Sequence, residues 1–286
     1  MLFDTHSHLY FDNLVPHEDA VIARMKEYWV ISVQIGCNLD STIKSIALSR
    51  KYPWILWATA GFHPTDIQDF KTFHFADHDL LISSHRDQEN PTPIEYWVLE
   101  TFEKLIIDNP DQIVAIGECG FDFHHLDPVQ SEIQKKNQYS WWLMQKEIAD
   151  KYSLPMIIHT REARQATYDF IRDNDVSRAV MHCYSEDWEF AESLLELSED
   201  IMFSFSGILT YKNSPLIQEA AKRLPLDRIM IETDAPFLSP QVVRGTTNEP
   251  ANVRFVLEKL CELRTESPDE IAQGVYDNGK RFYWLC

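Results

Sequence analysis

The sequence predicts an α/β fold, a single-domain (β/α)8 TIM barrel over residues 1–286. Three observations carry that reading. Eight short apolar runs of strand length alternate with segments whose apolar residues fall at helical spacing. The chain has 286 residues, 44% hydrophobic and 12% aromatic, enough to fill one large core. Only 8 glycines occur and none builds a GxGxxG or GxxxxGKS/T loop, which removes the nucleotide-binding reading.

The first strand is Phe3-Asp4-Thr5-His6-Ser7-His8, closed by a polar turn from Tyr10 to Asn13. A helix from Glu18 to Tyr28 leads to a buried strand from Trp29 to Gly36. Leu39 to Arg50 reads as helix, with Asp40 and Ser41 as capping residues. The third strand, Trp54 to Ala60, ends in Gly61-Phe62-His63-Pro64. From Gln68 to Pro93 the rhythm breaks. That stretch is polar and closes on Asn90-Pro91-Thr92-Pro93, so an extended loop or insertion is expected at about 68–95, with His74, His78 and His85 facing solvent. A helix from Ile94 to Asp108 and a strand from Ile113 to Glu118 resume the alternation. The long amphipathic helix Ser131 to Tyr152 precedes the strand Leu154 to His159 and the helix Arg161 to Asp173. Strand six is Arg178 to His182, with its helix from Asp187 to Leu197. Strand seven is Asp200 to Phe205, with its helix from Ser214 to Arg223. Arg228 to Asp234 is the eighth strand, and helices about Pro250–Glu262 and Pro268–Trp284 finish the chain, the last capped by Ser267.

Charge and cysteine usage bound the function. There are 45 acidic against 26 basic residues, a formal charge of −19, mostly a matter of solubility. It argues against a basic face for nucleic acid or anionic membrane, because neutralising phosphates takes Lys and Arg. A nucleic acid held locally by metal ions stays open. No apolar run reaches the ~18 residues of a membrane helix. The amino terminus turns polar within a few residues and has no secretory pattern, and Cys37, Cys119, Cys183, Cys261 and Cys286 show no CxxC spacing. A reducing, cytoplasmic location with free thiols is the expectation. Cys119 and Cys183 follow Glu118 and His182 directly, so on a strand they face away, toward the helical layer, as packing residues.

His6 and His8 stand two apart on an extended segment, so both rings can aim at one ion. A lone His-x-His is weak evidence. In a barrel, however, the carboxyl ends of all strands converge on one face. Reading those ends gives His6 and His8, then Glu118, His159, His182 and Asp234. Any one could be bland, since a single buried His is more often hydrogen-bonded core and a strand-end Asp is often a helix cap. Six together point to a metal site. The mixed nitrogen and oxygen set suits Zn, Mn, Co or Fe(II) better than a pure Mg or Ca site. It has donors enough for two ions sharing a carboxylate, the arrangement of two-metal phosphodiester hydrolysis.

Seven motifs in order resemble the TatD-type metal-dependent deoxyribonucleases, amidohydrolase-like TIM barrels. They are Phe-Asp-Thr-His-Ser-His (3–8), Gly-Phe-His-Pro (61–64), Ile-Gly-Glu-Cys-Gly-Phe-Asp (116–122), Ile-His-Thr-Arg-Glu-Ala (158–163), Met-His-Cys-Tyr-Ser (181–185), Ile-Glu-Thr-Asp-Ala-Pro-Phe-Leu (231–238) and Arg-Gly-Thr-Thr-Asn-Glu-Pro (244–250). The resemblance spans nearly the whole chain, with only about 68–95 longer and more polar than the family pattern. It implies two divalent ions (Mg, Mn or Zn) and hydrolysis of DNA, often as a 3′→5′ exonuclease. It implies His6 and His8 on one ion, His159 and His182 on the other, and Glu118 bridging them. Asp234 would bind metal and orient or deprotonate the attacking water. His63 is a candidate for metal or substrate phosphate, or a turn residue before Pro64. Arg161 could grip phosphate or pair with Glu162, and His124 could meet substrate from the fourth loop. Glu232, one layer deeper than Asp234, reads as support for the ligands. Tyr184 and Phe237 either stack on bases or pack their loops, with packing favoured, and Arg244 and Asn248 read as structural.

DNA would be a transient partner; no obligate protein partner or membrane is implied, and a monomer is the expectation. An alternative keeps the site and changes the substrate: an amidase, esterase or deacylase on a small molecule or an aminoacyl-tRNA. A non-enzymatic barrel is disfavoured because every expected ligand is present.

Overall fold

A computed structural model describes residues 1–68 and 93–285, the side chains of 93–97 excepted. The expected insertion and its three histidines lie almost wholly outside the described residues. Eight strands form one sheet in chain order, each parallel to the next. They are β1 (Leu2–Ser7), β2 (Val30–Gln34), β3 (Leu56–Ala60), β4 (Ile113–Asp122), β5 (Met156–Arg161), β6 (Ala179–Met181), β7 (Ile201–Phe205) and β8 (Ile229–Ile231). The helices between and after them are α1 (Glu18–Glu27), α2 (Leu39–Lys51), α3 (Pro64–Ile67), α4 (Pro93–Ile107), α5 (Ser131–Tyr152), α6 (Arg164–Asp173), α7 (Trp188–Leu197), α8 (Pro215–Arg223), α9 (Val253–Leu263) and α10 (Pro268–Phe282). The (β/α)8 expectation holds. No helix among the described residues is long and apolar enough to cross a membrane.

A core cluster with side chains from seven of the strands, from Phe3 on β1 round to Met230 on β8, fills the barrel, and Trp57 of β3 packs against it. The Phe282 and Tyr283 rings join it, and the Tyr283 hydroxyl donates to the Thr5 carbonyl at 2.8 Å. Burying a ring such as Phe3 contributes about 1.5–3 kcal/mol. A larger cluster joins strands to helices and includes Trp142 stacked on Phe170, centroids 3.8 Å apart. Cys119 packs there, as expected.

The seam between β8 and β1 closes by specific bonds rather than a long ladder. Thr5 Oγ1 donates to the Ile231 carbonyl at 3.0 Å, and the fully buried Asp4 accepts from Thr233 N at 2.7 Å and Thr233 Oγ1 at 2.9 Å. Burial pushes the Asp4 carboxyl well up, only partly offset by these donors. Asp234 N donates to the His6 carbonyl at 2.9 Å and His8 N to the Ala235 carbonyl at 2.7 Å. The seam thus sets the first strand's histidines beside Asp234.

Several boundaries differ from the sequence expectation. The strand β4 does not stop at Glu118 but runs to Asp122. Gly117 and Gly120 at φ +132° and +134° carry it past a register shift, and a Cβ on Gly120 would collide with the His159 carbonyl oxygen. Because β5 continues to Arg161, α6 begins only at Arg164. The cap of α2 is Asn38 rather than Asp40: its side chain accepts from Ser41 N, and Ser41 answers as the reciprocal partner. Ser267 caps α10 as expected, in a box with Glu270.

Candidate metal centre

The carboxyl ends of the strands surround an open cavity of about 1130 Å³. His6 lies on β1 and His8 one residue beyond it; Glu118 is within β4, His159 within β5, and His182 one residue past β6. Asp234 stands three residues after β8 in a left-handed conformation, φ 55°. All six side chains converge.

Their spacing divides into overlapping groups, two of which share Glu118. His6 Nε2 is 3.1 Å from His8 Nε2 and 3.4 Å from Glu118 Oε2. Asp234 Oδ1 lies 3.3 Å from His8 Nε2 and 3.6 Å from His6 Nε2. The other oxygen of Glu118, Oε1, meets His159 Nδ1 at 2.8 Å, His182 Nε2 at 3.0 Å and His63 Nε2 at 3.4 Å. Donor sets that could each hold an ion are His6, His8 and Glu118; His63, Glu118 and His159; and His6, His182 and Asp234, with the donor atoms of each set within 4.8 Å of one another.

Outer partners turn the rings inward. His8 Nδ1 meets the Tyr10 hydroxyl at 2.9 Å, His63 Nδ1 meets Thr65 Oγ1 at 2.7 Å, and His182 Nδ1 meets Glu232 Oε1 at 3.0 Å. His159 is reversed, with Nε2 on Asp122 Oδ2 at 3.2 Å and Nδ1 inward. Such outer bonds set the tautomer and orientation of metal-binding imidazoles. Glu232 also accepts from Cys183 N at 2.8 Å, so it sits as the sequence suggested.

The charges fit a cation. Burial, reinforced by the nearby His182 ring, pushes His6 down to about 3, so it is neutral with a free lone pair. Burial alone would raise Glu118, but the His182 and His63 rings facing it hold it well below the ordinary carboxylate range. Burial also opposes protonation of His159, yet Asp122 and Glu118 outweigh it and raise that ring. Among the described residues, buried His6 Nδ1 and Glu232 Oε2 have no hydrogen-bond partner. Two imidazole nitrogens 3.1 Å apart, with carboxylate oxygens 3.3–3.6 Å from them, are spaced as ligands around a shared cation. A divalent ion suits them.

The remaining candidates separate. His63 belongs to the donor cluster and also caps α3, accepting from Thr65 N at 3.2 Å, so its turn role and its proximity to the site coexist. Arg161 lines the cavity and makes no side-chain ion pair among the described residues; the expected alternative partner Glu162 is instead bonded to His124 at 2.6 Å. His124 is not among the cavity-lining residues. Its neighbour His125 is, with Nδ1 2.8 Å from Asp122 Oδ2. Cys183 departs from its expected packing role: at φ 45°, past the end of β6, the strand alternation no longer applies and it lines the cavity. Tyr184 is buried against Phe203, whereas Phe237 is exposed at the rim, edge-on to Phe11 at 5.3 Å. Arg244 lies over the Tyr211 ring, and buried Asn248 donates to the Thr233 and Phe237 carbonyls, bracketing Asp234.

Fold and cluster together define a (β/α)8 barrel with a metal-type donor site at the carboxyl ends of its strands. Comparison with known proteins narrows the class. The family described as TatD related DNase matches residues 3–284. A metal-dependent hydrolase of Mycoplasma genitalium is 31% identical, over 99% of this chain and 98% of its own. The metal-dependent hydrolase YabD of Bacillus subtilis is also 31% identical, over 99% of each chain. Among solved structures, the TatD homologue YjjV of Escherichia coli superposes with a TM-score of 0.81 at 25% identity, covering 100% of this chain and 98% of that one. The chain belongs to the TatD family of metal-dependent hydrolases.

Proposed function

We propose that this chain hydrolyses DNA phosphodiester bonds with two divalent ions (Mg, Mn or Zn), as a 3′→5′ exodeoxyribonuclease. The observation that carries the reading is Glu118, whose Oε2 faces the His6 side and whose Oε1 faces His63, His159 and His182. His6 and His8 would hold one ion, His159 and His182 the other, with His63 as a further donor on the Glu118–His159 side and Glu118 between the two. Such ions, when bound, lower the pKa of water and neutralise phosphate charge. Asp234, close to His6 and His8, orients the attacking water and takes its proton. Arg161, which lines the cavity and makes no ion pair among the described residues, would grip a substrate phosphate. The cavity, about 1130 Å³, exceeds the ~300–1,000 Å³ of small-ligand sites and suits a polymer end.

One observation favours the second reading, an amidase, esterase or deacylase. Among the described lining residues Arg161 is the sole Arg or Lys. Release of nucleotides from end-labelled single-stranded DNA, with Mg or Mn against EDTA and against Asp234→Asn, separates the two. Metal-dependent release that the variant abolishes supports the nuclease. No release with any metal, from protein that retains bound metal, overturns it in favour of ester, amide or aminoacyl-tRNA substrates.

A further inference from the structure

The proposed metal set leaves one acid–base pair of the cavity unused. The backbone of Asp122 is clamped by the buried Gln138 of α5, which donates Nε2 to its carbonyl at 2.9 Å and accepts from its N–H at 3.0 Å. With its backbone fixed, the Asp122 carboxylate divides its oxygens. Oδ1 takes His125 N at 3.0 Å; Oδ2 takes His125 Nδ1 at 2.8 Å and His159 Nε2 at 3.2 Å. His125 therefore stands one carboxylate away from the donor cluster and lines the same cavity. With Nδ1 bonded to Asp122, its Nε2 has no hydrogen-bond partner among the described residues. The side chain is 49% exposed, so it can recover protons from solvent.

A carboxylate on Nδ1 fixes the tautomer and orientation of an imidazole, leaving Nε2 to act on a reacting atom. The other protic groups on the wall serve less well. The Tyr10 hydroxyl is engaged by His8 Nδ1 at 2.9 Å, the Cys37 thiol lies 3.6 Å from that hydroxyl, and the Cys183 thiol is 3.2 Å from Ser206 Oγ, so each is already tied into the wall. Arg161 does not give up a proton at all.

We propose that His125, held on Asp122, donates the proton to the leaving oxygen of the hydrolysed ester. The assignment rests on the phosphodiester reading above. Water oxygen forms the new P–O bond while the bond from phosphorus to the leaving 3′ oxygen of the deoxyribose breaks. One water proton passes to Asp234, and the leaving oxygen takes the Nε2 proton of His125, which solvent restores. Asp122 is a positioning residue in this scheme.

The test compares two thymidine phosphodiesters in the metal-loaded protein: the dinucleotide TpT, whose leaving alkoxide needs a proton, and the p-nitrophenyl ester of thymidine 5′-phosphate, whose leaving group does not. His125→Ala is expected to lose about 10²–10⁴-fold on TpT and no more than a few-fold on the aryl ester. Added imidazole is expected to restore part of the TpT rate. Equal losses on both esters, or no loss on either, overturn the assignment while leaving the phosphodiester reading intact. Wild-type protein that cleaves neither ester refutes that reading and the assignment with it. Because His125 is half exposed, His125→Gln serves as a second variant, and circular dichroism confirms that both fold.

Discussion

Replacing Glu232 isolates what the outer layer does for the metal cluster. Glu232 is 1% exposed and does not face the cavity; its Oε1 accepts from His182 Nδ1 at 3.0 Å and from Cys183 N at 2.8 Å. It thereby turns His182 Nε2 toward Glu118. Glu232→Gln retains an acceptor oxygen but loses the charge that makes the imidazole a better donor. Removing such a partner typically costs about 10–100-fold in metal affinity, about 1.4–2.7 kcal/mol. The isosteric change should fall near the lower end, about tenfold. Glu232→Ala strands two buried donors, so it should reach about 100-fold and also lower stability by about 2–3 kcal/mol. Zinc affinity is measured by competition with a chromophoric chelator, and folding by urea titration of the metal-free protein. A Gln variant that binds within twofold of wild type, with the Ala variant equally unaffected, would refute the reasoning.

Two further predictions follow from the same geometry. Asn248→Ala removes the donors to the Thr233 and Phe237 carbonyls and the acceptor for Asn252 Nδ2, so urea unfolding should show a loss of about 2–4 kcal/mol; activity should fall as well, because the loop between those carbonyls carries Asp234. Asp187 caps α7 by accepting from Phe190 N, and its hydrogen bond with Arg164 Nη1 at 2.6 Å is the main cause of its lowered pKa. A depressed folded pKa contributes stability above the unfolded value, near 4, that is lost as pH falls through the folded value. Asp187→Asn should therefore cost up to about 1 kcal/mol at pH 7, and its deficit should shrink below about pH 4; a pH-independent difference in Tm would contradict this.

How much of the site was legible depended on where regular alternation stops. The convergence of His6, His8, Glu118, His159, His182 and Asp234 could be read because each lies at or near the end of an apolar run, and a closed barrel brings those ends to one face. Asp122 was missed because Gly117 and Gly120 read as the end of a strand. They instead let β4 bend past the His159 carbonyl and keep pairing, Asp122 opposite Arg161. A glycine inside an apolar run is also a bulge signal, and taken that way Gly-Phe-Asp would have pointed to Asp122. His124 was singled out over His125 because nothing in the sequence tells which of two adjacent rings turns inward. Asp122 decides it by capturing both the backbone N–H and the ring of His125. The left-handed turn at Cys183 likewise reverses a side chain whose direction had been read from strand parity. Asp4 and Thr233, which fasten the barrel seam, carry no local pattern and appear only once β1 and β8 are neighbours.

If Glu118 joins two ion sites, its two oxygens each serve a different ion. Manganese binding to the metal-free protein, followed by equilibrium dialysis and electron paramagnetic resonance, tests it most directly. Two ions per chain are expected, with the exchange-coupled signal of a bridged pair, and that coupling should be lost in Glu118→Gln. A single uncoupled ion in the wild type, or a coupled pair that survives in Glu118→Gln, would contradict it.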